Sequence, residues 1–240
     1  RIRRIFPALL VVITATFLFG FFILSPDEFS ALGKLVAAGI GFVANLVLWS
    51  EAGYFDAATE TKPLLHLWSL GIEEQFYIIW PLLLIFAWKR KISLLIVTMI
   101  VLFISFSFNI FNIKTDPIAT FYSPLTRIWE LLFGSVLSWI MVFKKDAFAN
   151  FNFKINKQLS RYKLFNNAEE KNIFANILSI LGIVLFIIGF VKITKESFFP
   201  GYWALVPVLG TVVIIMAGPE AWINKKILSN KFAVWFGLIS

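Results

Sequence analysis

His66, Ser69 and Glu73 stand at i, i+3 and i+7 within LLHLWSLGIEEQFYIIW, Leu64 to Trp80, with Glu74 alongside. Helical spacing puts the three on one face, and Tyr77 and Trp80 continue the stripe. An imidazole and two carboxylates can carry protons or accept hydrogen bonds from hydroxyl groups. The surrounding run is apolar enough to span a bilayer, where an ionisable group costs about 2.5–3.5 kcal/mol on insertion scales and so faces a protein interior or a watery cavity. Two readings compete. Both expect a helix starting near Pro63; in one, Glu73 and Glu74 belong to its solvated start, where the dipole favours acids, and His66 is a satisfied loop histidine. In the other, the acids form a polar site, and Glu73→Gln removes activity with the fold intact. A Ser69, His66, Glu73 proton relay is set aside, because groups on one helix face point in parallel and cannot pass a proton in sequence. The remaining face, with Leu67, Ile78 and Leu82, meets lipid or neighbouring helices.

Two further clusters have chemical potential. Arg1, Arg3 and Arg4 in RIRRIFP precede an apolar run that Pro7 is expected to open, with Arg4 in its first turn. Guanidinium forks grip phosphate bidentately, so the cluster suits a phosphorylated donor; it equally suits a topology anchor on lipid phosphates. In SPLTRIWELLFG, Ser123 to Gly134, Arg127 and Glu130 are three residues apart on one helical face. Buried charges require pairing, which fits a structural pair and a site pair alike.

Composition says what must position these groups. In 240 residues, 59% are apolar, 18% aromatic and 15% charged, which places the chain among polytopic membrane proteins. There is no cysteine, so disulfides and thiolate chemistry are excluded, and a single histidine argues against a protein-only metal site. The net charge of +8 raises nucleic acid as a partner, but the basic residues flank apolar runs and point to membrane lipids instead.

Apolar runs near the ~20 residues a bilayer requires cover Ile5 to Leu24, Trp68 to Trp88, Ile92 to Asn112, Phe121 to Phe143, Ile173 to Val191 and Tyr202 to Ala217, and another starts near Phe232. Leu35 to Trp49 is shorter and contains Gly39, Gly41 and Asn45. Basic residues concentrate on the cytoplasmic side. Arg1 to Arg4 and Lys89 to Lys91 carry three each, Lys144 to Ile173 seven against three acids, and Pro219 to Lys231 three against one. These segments share one side only if Leu35 to Trp49 does not cross. The expectation is therefore an all-α polytopic transmembrane bundle with about six complete spans, one truncated span and a re-entrant or non-crossing segment near residues 35–49. Arg1 to Arg4 are then cytoplasmic and His66 to Glu73 extracytoplasmic.

Residues 144–172 are rich in Asn and Lys and read as a polar cytoplasmic loop, with a short amphipathic piece near Leu159 to Phe165 that suits anionic headgroups. FPGYWALVPVLG, Phe199 to Gly210, predicts a tight turn and then a helix kinked near Pro207. No Gly-rich phosphate loop, zinc cluster or nucleophile elbow is present.

Taken in order, RIRRIFPALLVV, SPDEFSALG, GYFDAATETKPLLHLWSLGIEEQFYIIWPLLL, TRIWELLFG, FPGYWALVPVLGT and VWFGLIS resemble the acyltransferase-3 family of integral membrane acyltransferases, nearest its bacterial O-antigen and peptidoglycan O-acetylase branch. The resemblance covers nearly the whole chain and implies the central part of one acyltransferase domain, lacking its first and last helices. It implies transfer of an acyl group, usually acetyl, from cytoplasmic acetyl-CoA to a hydroxyl of an extracytoplasmic glycan at the inner membrane. Acyl-CoA is then a co-substrate, with no permanently bound cofactor or metal. Arg1 and Arg4 match the family's donor-handling arginines. Glu73 and His66 match catalytic or supporting positions, and Ser69, Glu74, Arg127 and Glu130 match substrate-lining ones. The family's essential histidine lies in a helix ahead of Arg1, so the chain alone is expected to be inactive. An esterase-like extracytoplasmic domain often follows in this branch. Two other functions fit the same residues: a flippase for a lipid-linked sugar or acyl donor, and a membrane scaffold whose charges fix helix register.

Overall fold

In hydrocarbon every backbone polar group must be satisfied within the protein, and the helix does so locally. The computed structural model describes residues 2–52, 62–160, 173–194 and 196–239, without the side chains of Ile2, Arg4, Ser160 and Ile239. Among the described residues all regular structure is helical. Five of the described segments are long and apolar enough to cross a membrane: Ile5–Ile23, Leu67–Lys89, Leu94–Asn112, Pro117–Phe143 and Ile173–Lys192. The expected sixth, Tyr202–Ala217, is helical but shorter. The chain is a polytopic helical membrane bundle. Its apolar side chains face outward as lipid contact demands, for example Phe19 and Phe22, Ile78 and Leu82, and Phe190.

The helices gather into two compact units. The first comprises Arg1–Val97, Phe103–Ile128 and Ile239–Ser240. Within it, α1 (Ile2–Ile23) leads into α2 (Pro26–Ile40), whose start is fixed by a reciprocal cap. Glu28 N donates to Ser25 Oγ, and the Glu28 carboxylate accepts from Ser25 N and Oγ at 2.9 and 2.8 Å. Pro7 lies inside α1 instead of opening it, because the helix already begins at Ile2. Leu9 and Ile13 of α1 pack with Leu32 and Ala38 of α2, Ala44 of α3 (Ala44–Glu51), and Leu64 and Leu67 at the start of α4 (Leu67–Lys89).

The stretch expected not to cross is two helices with a sharp turn between them. Leu35 of α2 and Leu48 of α3 share a buried cluster with Tyr122. One continuous helix would hold these two leucines about 20 Å apart. The turn is at Gly41–Val43, with Phe42 in the left-handed region at φ 55°. The same unit holds most of α5 (Leu94–Asn112), α6 (Pro117–Tyr122) and the start of α7 (Pro124–Phe143).

The second unit, Thr98–Leu102 with Trp129–Leu238, is built on a close pair, α9 (Ile173–Lys192) and α10 (Leu205–Ala217). Gly182 and Gly210 let these backbones touch, since a Cβ on Gly182 would lie 2.9 Å from the Gly210 carbonyl oxygen. Pro207 falls in the first turn of α10, so no kink forms. The expected loop at 144–172 instead contains a helix, α8 (Lys145–Ser160). Phe148, Ile155 and Leu159 form its half-buried stripe, and Asn156 Oδ1 accepts from Phe174 N at 2.8 Å, capping α9. Most of the Leu159 to Phe165 piece lies outside the described residues. The run after Phe232 is helical as α11 (Lys231–Ile239).

Candidate functional site

α4 begins at Leu67, several residues after Pro63, because residues 63–66 form turns and Leu64 has φ 64°. His66 is its exposed N-cap residue, and Ser69 Oγ donates to the His66 carbonyl at 3.1 Å. Glu73 lies a turn further in and is half-buried. Glu74 is 7% exposed, and its Oε1 has no hydrogen-bond partner among the described residues. A solvated helix start does not fit that carboxyl. Tyr77 is half-buried and Trp80 buried, while Ile78 and Leu82 are exposed, so the polar stripe turns toward protein and the opposite face toward lipid.

Gly71 and Gln75, one turn apart on α4, meet the reversal between α2 and α3. Gln75 Nε2 donates to the Phe42 carbonyl and to Asn45 Oδ1, both at 2.9 Å. A Cβ on Gly71 would lie 2.8 Å from Asn45 Oδ1, so only glycine admits this approach. The Phe42 ring meets Phe6 edge-on with centroids 6.2 Å apart. The tip of the reversal thus joins the carboxylate-bearing turn of α4 to the start of α1, two residues beyond Arg4. The backbone of Arg4 belongs to α1; Arg1 and the Arg4 side chain lie outside the described residues.

A second break separates α6 from α7 at Pro124, which has no N–H to give. Four carbonyls there are met by side chains. Thr126 Oγ1 donates to Thr120 and Ser123, Arg127 Nε to Phe121, and Asn45 Nδ2 to Tyr122, at 2.7, 2.9, 3.2 and 3.1 Å. The Arg127 guanidinium also lies over the rings of Phe121 and Trp68, 4.8 and 5.1 Å from their centroids, and the residue is 4% exposed. Glu130 follows on the same helix, half-buried. Beside this break is a cavity of about 290 Å³ lined by Trp49, Phe108, Asn112, Thr120, Ser123 and Thr126 among others. Both threonine hydroxyls are committed to carbonyls, so its wall offers few donors to a ligand.

Comparison with known proteins gives this geometry a setting. The chain is 33% identical over 224 residues to an uncharacterized protein of Haemophilus influenzae, covering 90% of the chain and 83% of that protein. It is 31% identical over 243 residues to the peptidoglycan O-acetyltransferase OatA of Listeria monocytogenes, covering 99% of the chain and 36% of OatA. Staphylococcus aureus proteins with O-acetyltransferase in their names match at 28% over 99% of the chain and 37% of theirs. The chain belongs to the family of these proteins. Its named members here are O-acetyltransferases, and the chain spans little more than a third of their length. No family model matches, and no solved structure matches.

The structure brings some of the expected residues together and separates others. His66, Ser69, Glu73 and Glu74 share the first two turns of α4, and Arg127 reaches that helix through the Trp68 ring. Gln75, Asn45, Trp68 and Thr126 do not stand out in the sequence as site residues. Gln75 and Trp68 nonetheless lie in the very motif that carries the acids. Asn45 is legible only as a polar residue in an apolar run, because its partners are carbonyls freed by breaks elsewhere in the chain.

Proposed function

We propose that the full-length protein transfers an acyl group, acetyl from cytoplasmic acetyl-CoA, to a hydroxyl of an extracytoplasmic glycan at the inner membrane. Peptidoglycan is the first acceptor to test. The observation that carries this reading is the match to the Listeria peptidoglycan O-acetyltransferase along 99% of the chain. In the reaction the acceptor oxygen bonds to the acyl carbon, the carbon–sulfur bond of the thioester breaks, and the hydroxyl proton passes by way of a base to the leaving thiolate.

Arg1 and Arg4 would hold the donor's phosphates at the start of α1. Glu73, half-buried and two turns inward from exposed His66, would take or orient the proton, with His66 supporting it. Ser69 and Glu74 would receive acceptor hydroxyls. Arg127 would act by fixing the α6–α7 break, since its Nε is committed to the Phe121 carbonyl. The contact from Phe6 through Phe42 to Gln75 supports a short path between donor and acceptor ends.

The test is a deletion strain complemented with the full-length gene. Ester-linked acetate released by mild alkali from purified peptidoglycan and other envelope glycans is measured, alongside translocation of lipid-linked precursors. Acetate that is lost and restored with the gene, and lost again with Glu73→Gln at normal protein levels, supports acyl transfer. Unchanged acetate with lost translocation replaces this reading with that of a flippase.

A further inference from the structure

Two helix breaks in one membrane unit are joined by two side-chain amides. Phe42 marks the first, where α2 ends and α3 turns back; Tyr122 and Pro124 mark the second, between α6 and α7. Asn45 is 0% exposed and spans between them. Its Nδ2 donates to the Tyr122 carbonyl at 3.1 Å, and its Oδ1 accepts from Gln75 Nε2, which also donates to the Phe42 carbonyl. The direction of each bond is forced. A backbone carbonyl can only accept, so both ends of the chain of bonds demand an N–H, and Asn45 must present its amide nitrogen to Tyr122 and its oxygen to Gln75.

We propose that Gln75 and Asn45 form a polarised amide relay that positions α4 by locking both helix breaks against it, and that Gln75 is a positioning residue for the flanking carboxylates of Glu73 and Glu74. Broken helices survive at membrane depth only where the freed backbone groups find partners in protein or line a cavity. Here the partner of the Phe42 carbonyl comes from α4 itself, on the turn that carries the acids, and that of the Tyr122 carbonyl comes from α3 through an amide that Gln75 holds. Gln75 is thus held at two points while Glu74, one residue earlier, is kept buried with Oε1 uncommitted. The Gly71 approach closes the same contact from the preceding turn, so rotating α4 would break the relay and drive its backbone away from Asn45.

The kinetic arm of the test rests on the acyl-transfer reading; the exchange arm does not. In the full-length protein, Gln75→Leu is compared with wild type by hydrogen exchange over residues 41–48 and by acyl-transfer kinetics. Exchange there is expected to rise at least ~10-fold with residues 173–192 unchanged. Turnover is expected to fall about 10-fold or more while KM for acyl-CoA stays within about twofold, as misplacement of reacting groups dictates. Gln75→Glu adds a pH signature. Ionised, it offers no donor to the two oxygens; protonated, it offers one O–H, so protection and turnover recover partly as pH falls. Unchanged exchange in Gln75→Leu, or wild-type behaviour of Gln75→Glu at neutral pH, overturns the relay. If Gln75→Leu does not accumulate, the pH response of Gln75→Glu decides. If wild type transfers no acyl group, the function proposed above falls and exchange alone decides the relay.

Discussion

Arg127 Nε donates to the carbonyl of Phe121, six residues earlier, across a helix break at Pro124. The guanidinium therefore replaces the Leu125 N–H that an unbroken helix would have supplied, while the Phe121 and Trp68 rings hold its plane. Lysine has no planar fork and solvates as a point charge, so Arg127→Lys should not rescue this site. Arg127→Met and Arg127→Lys are both expected to destabilise by about 2–3 kcal/mol, combining a desolvated cation–π contact with a charged hydrogen bond. Thermal unfolding in detergent measures it; an Arg127→Lys midpoint equal to wild type would contradict the account.

Gly71→Ala places a Cβ 2.8 Å from Asn45 Oδ1 and 3.2 Å from the Phe42 carbonyl oxygen. One is backbone and the other belongs to a buried amide held by hydrogen bonds at both ends, so overpacking should cost about 1–3 kcal/mol. Gly33 is the control. Nothing lies within 4 Å of a Cβ there, and its helix should gain about 0.5–1 kcal/mol from alanine. Opposite signs for the two variants in one melting experiment are the expected result.

Glu74→Leu separates stability from function. A buried carboxyl oxygen without a partner costs about 1–3 kcal/mol, and an apolar side chain of similar volume removes that cost. The variant is expected to melt at a higher temperature than wild type and to transfer less acyl group. A lower melting temperature would show that Glu74 has a stabilising partner in the full-length protein.

The carboxyl of Glu28 titrates below the ordinary carboxylate range, held there first by the Ser25 backbone N–H and then by its hydroxyl. Because the folded value is lowered, the cap's contribution is complete above the unfolded value and is lost as pH falls through the folded one. Amide protection at residues 28–32 should therefore drop on acidification below the usual carboxyl range. Glu28→Gln should flatten that response, leaving the α9–α10 pair unaffected.

Absence of cysteine makes single-cysteine topology mapping direct. Lys114→Cys, exposed after α5, is expected to react with an impermeant maleimide in intact cells. Lys154→Cys, exposed on α8, is expected to react only after permeabilisation. The reverse pattern would invert the orientation drawn from the basic segments.

Spans were readable because burying a helix in lipid needs only length and hydropathy, both local. Five runs became long helices within a few residues of the expected bounds, and Tyr202–Ala217 became a shorter one. The interruption of the run at residues 41–43 was foreshadowed by its short length and by Gly39, Gly41 and Asn45. Helix α8 was not, although Phe148, Phe151, Ile155 and Leu159 supply a stripe at helical spacing; many asparagines and lysines masked it.

The motif around His66 and Glu73 told which residue types gather on one helix. It could not tell that Glu73 and Glu74 differ in burial, or that Asn45 bonds to Tyr122, 77 positions away. A polar side chain in an apolar run announces only that it needs a partner. Which carbonyl is left open depends on where proline, glycine and a left-handed turn interrupt other helices, and on which of those interruptions packing brings within 3 Å or so. The fold class and membrane character were thus set by local composition. Tertiary packing alone decided which groups are satisfied and which, like Glu74 Oε1, remain open among the described residues.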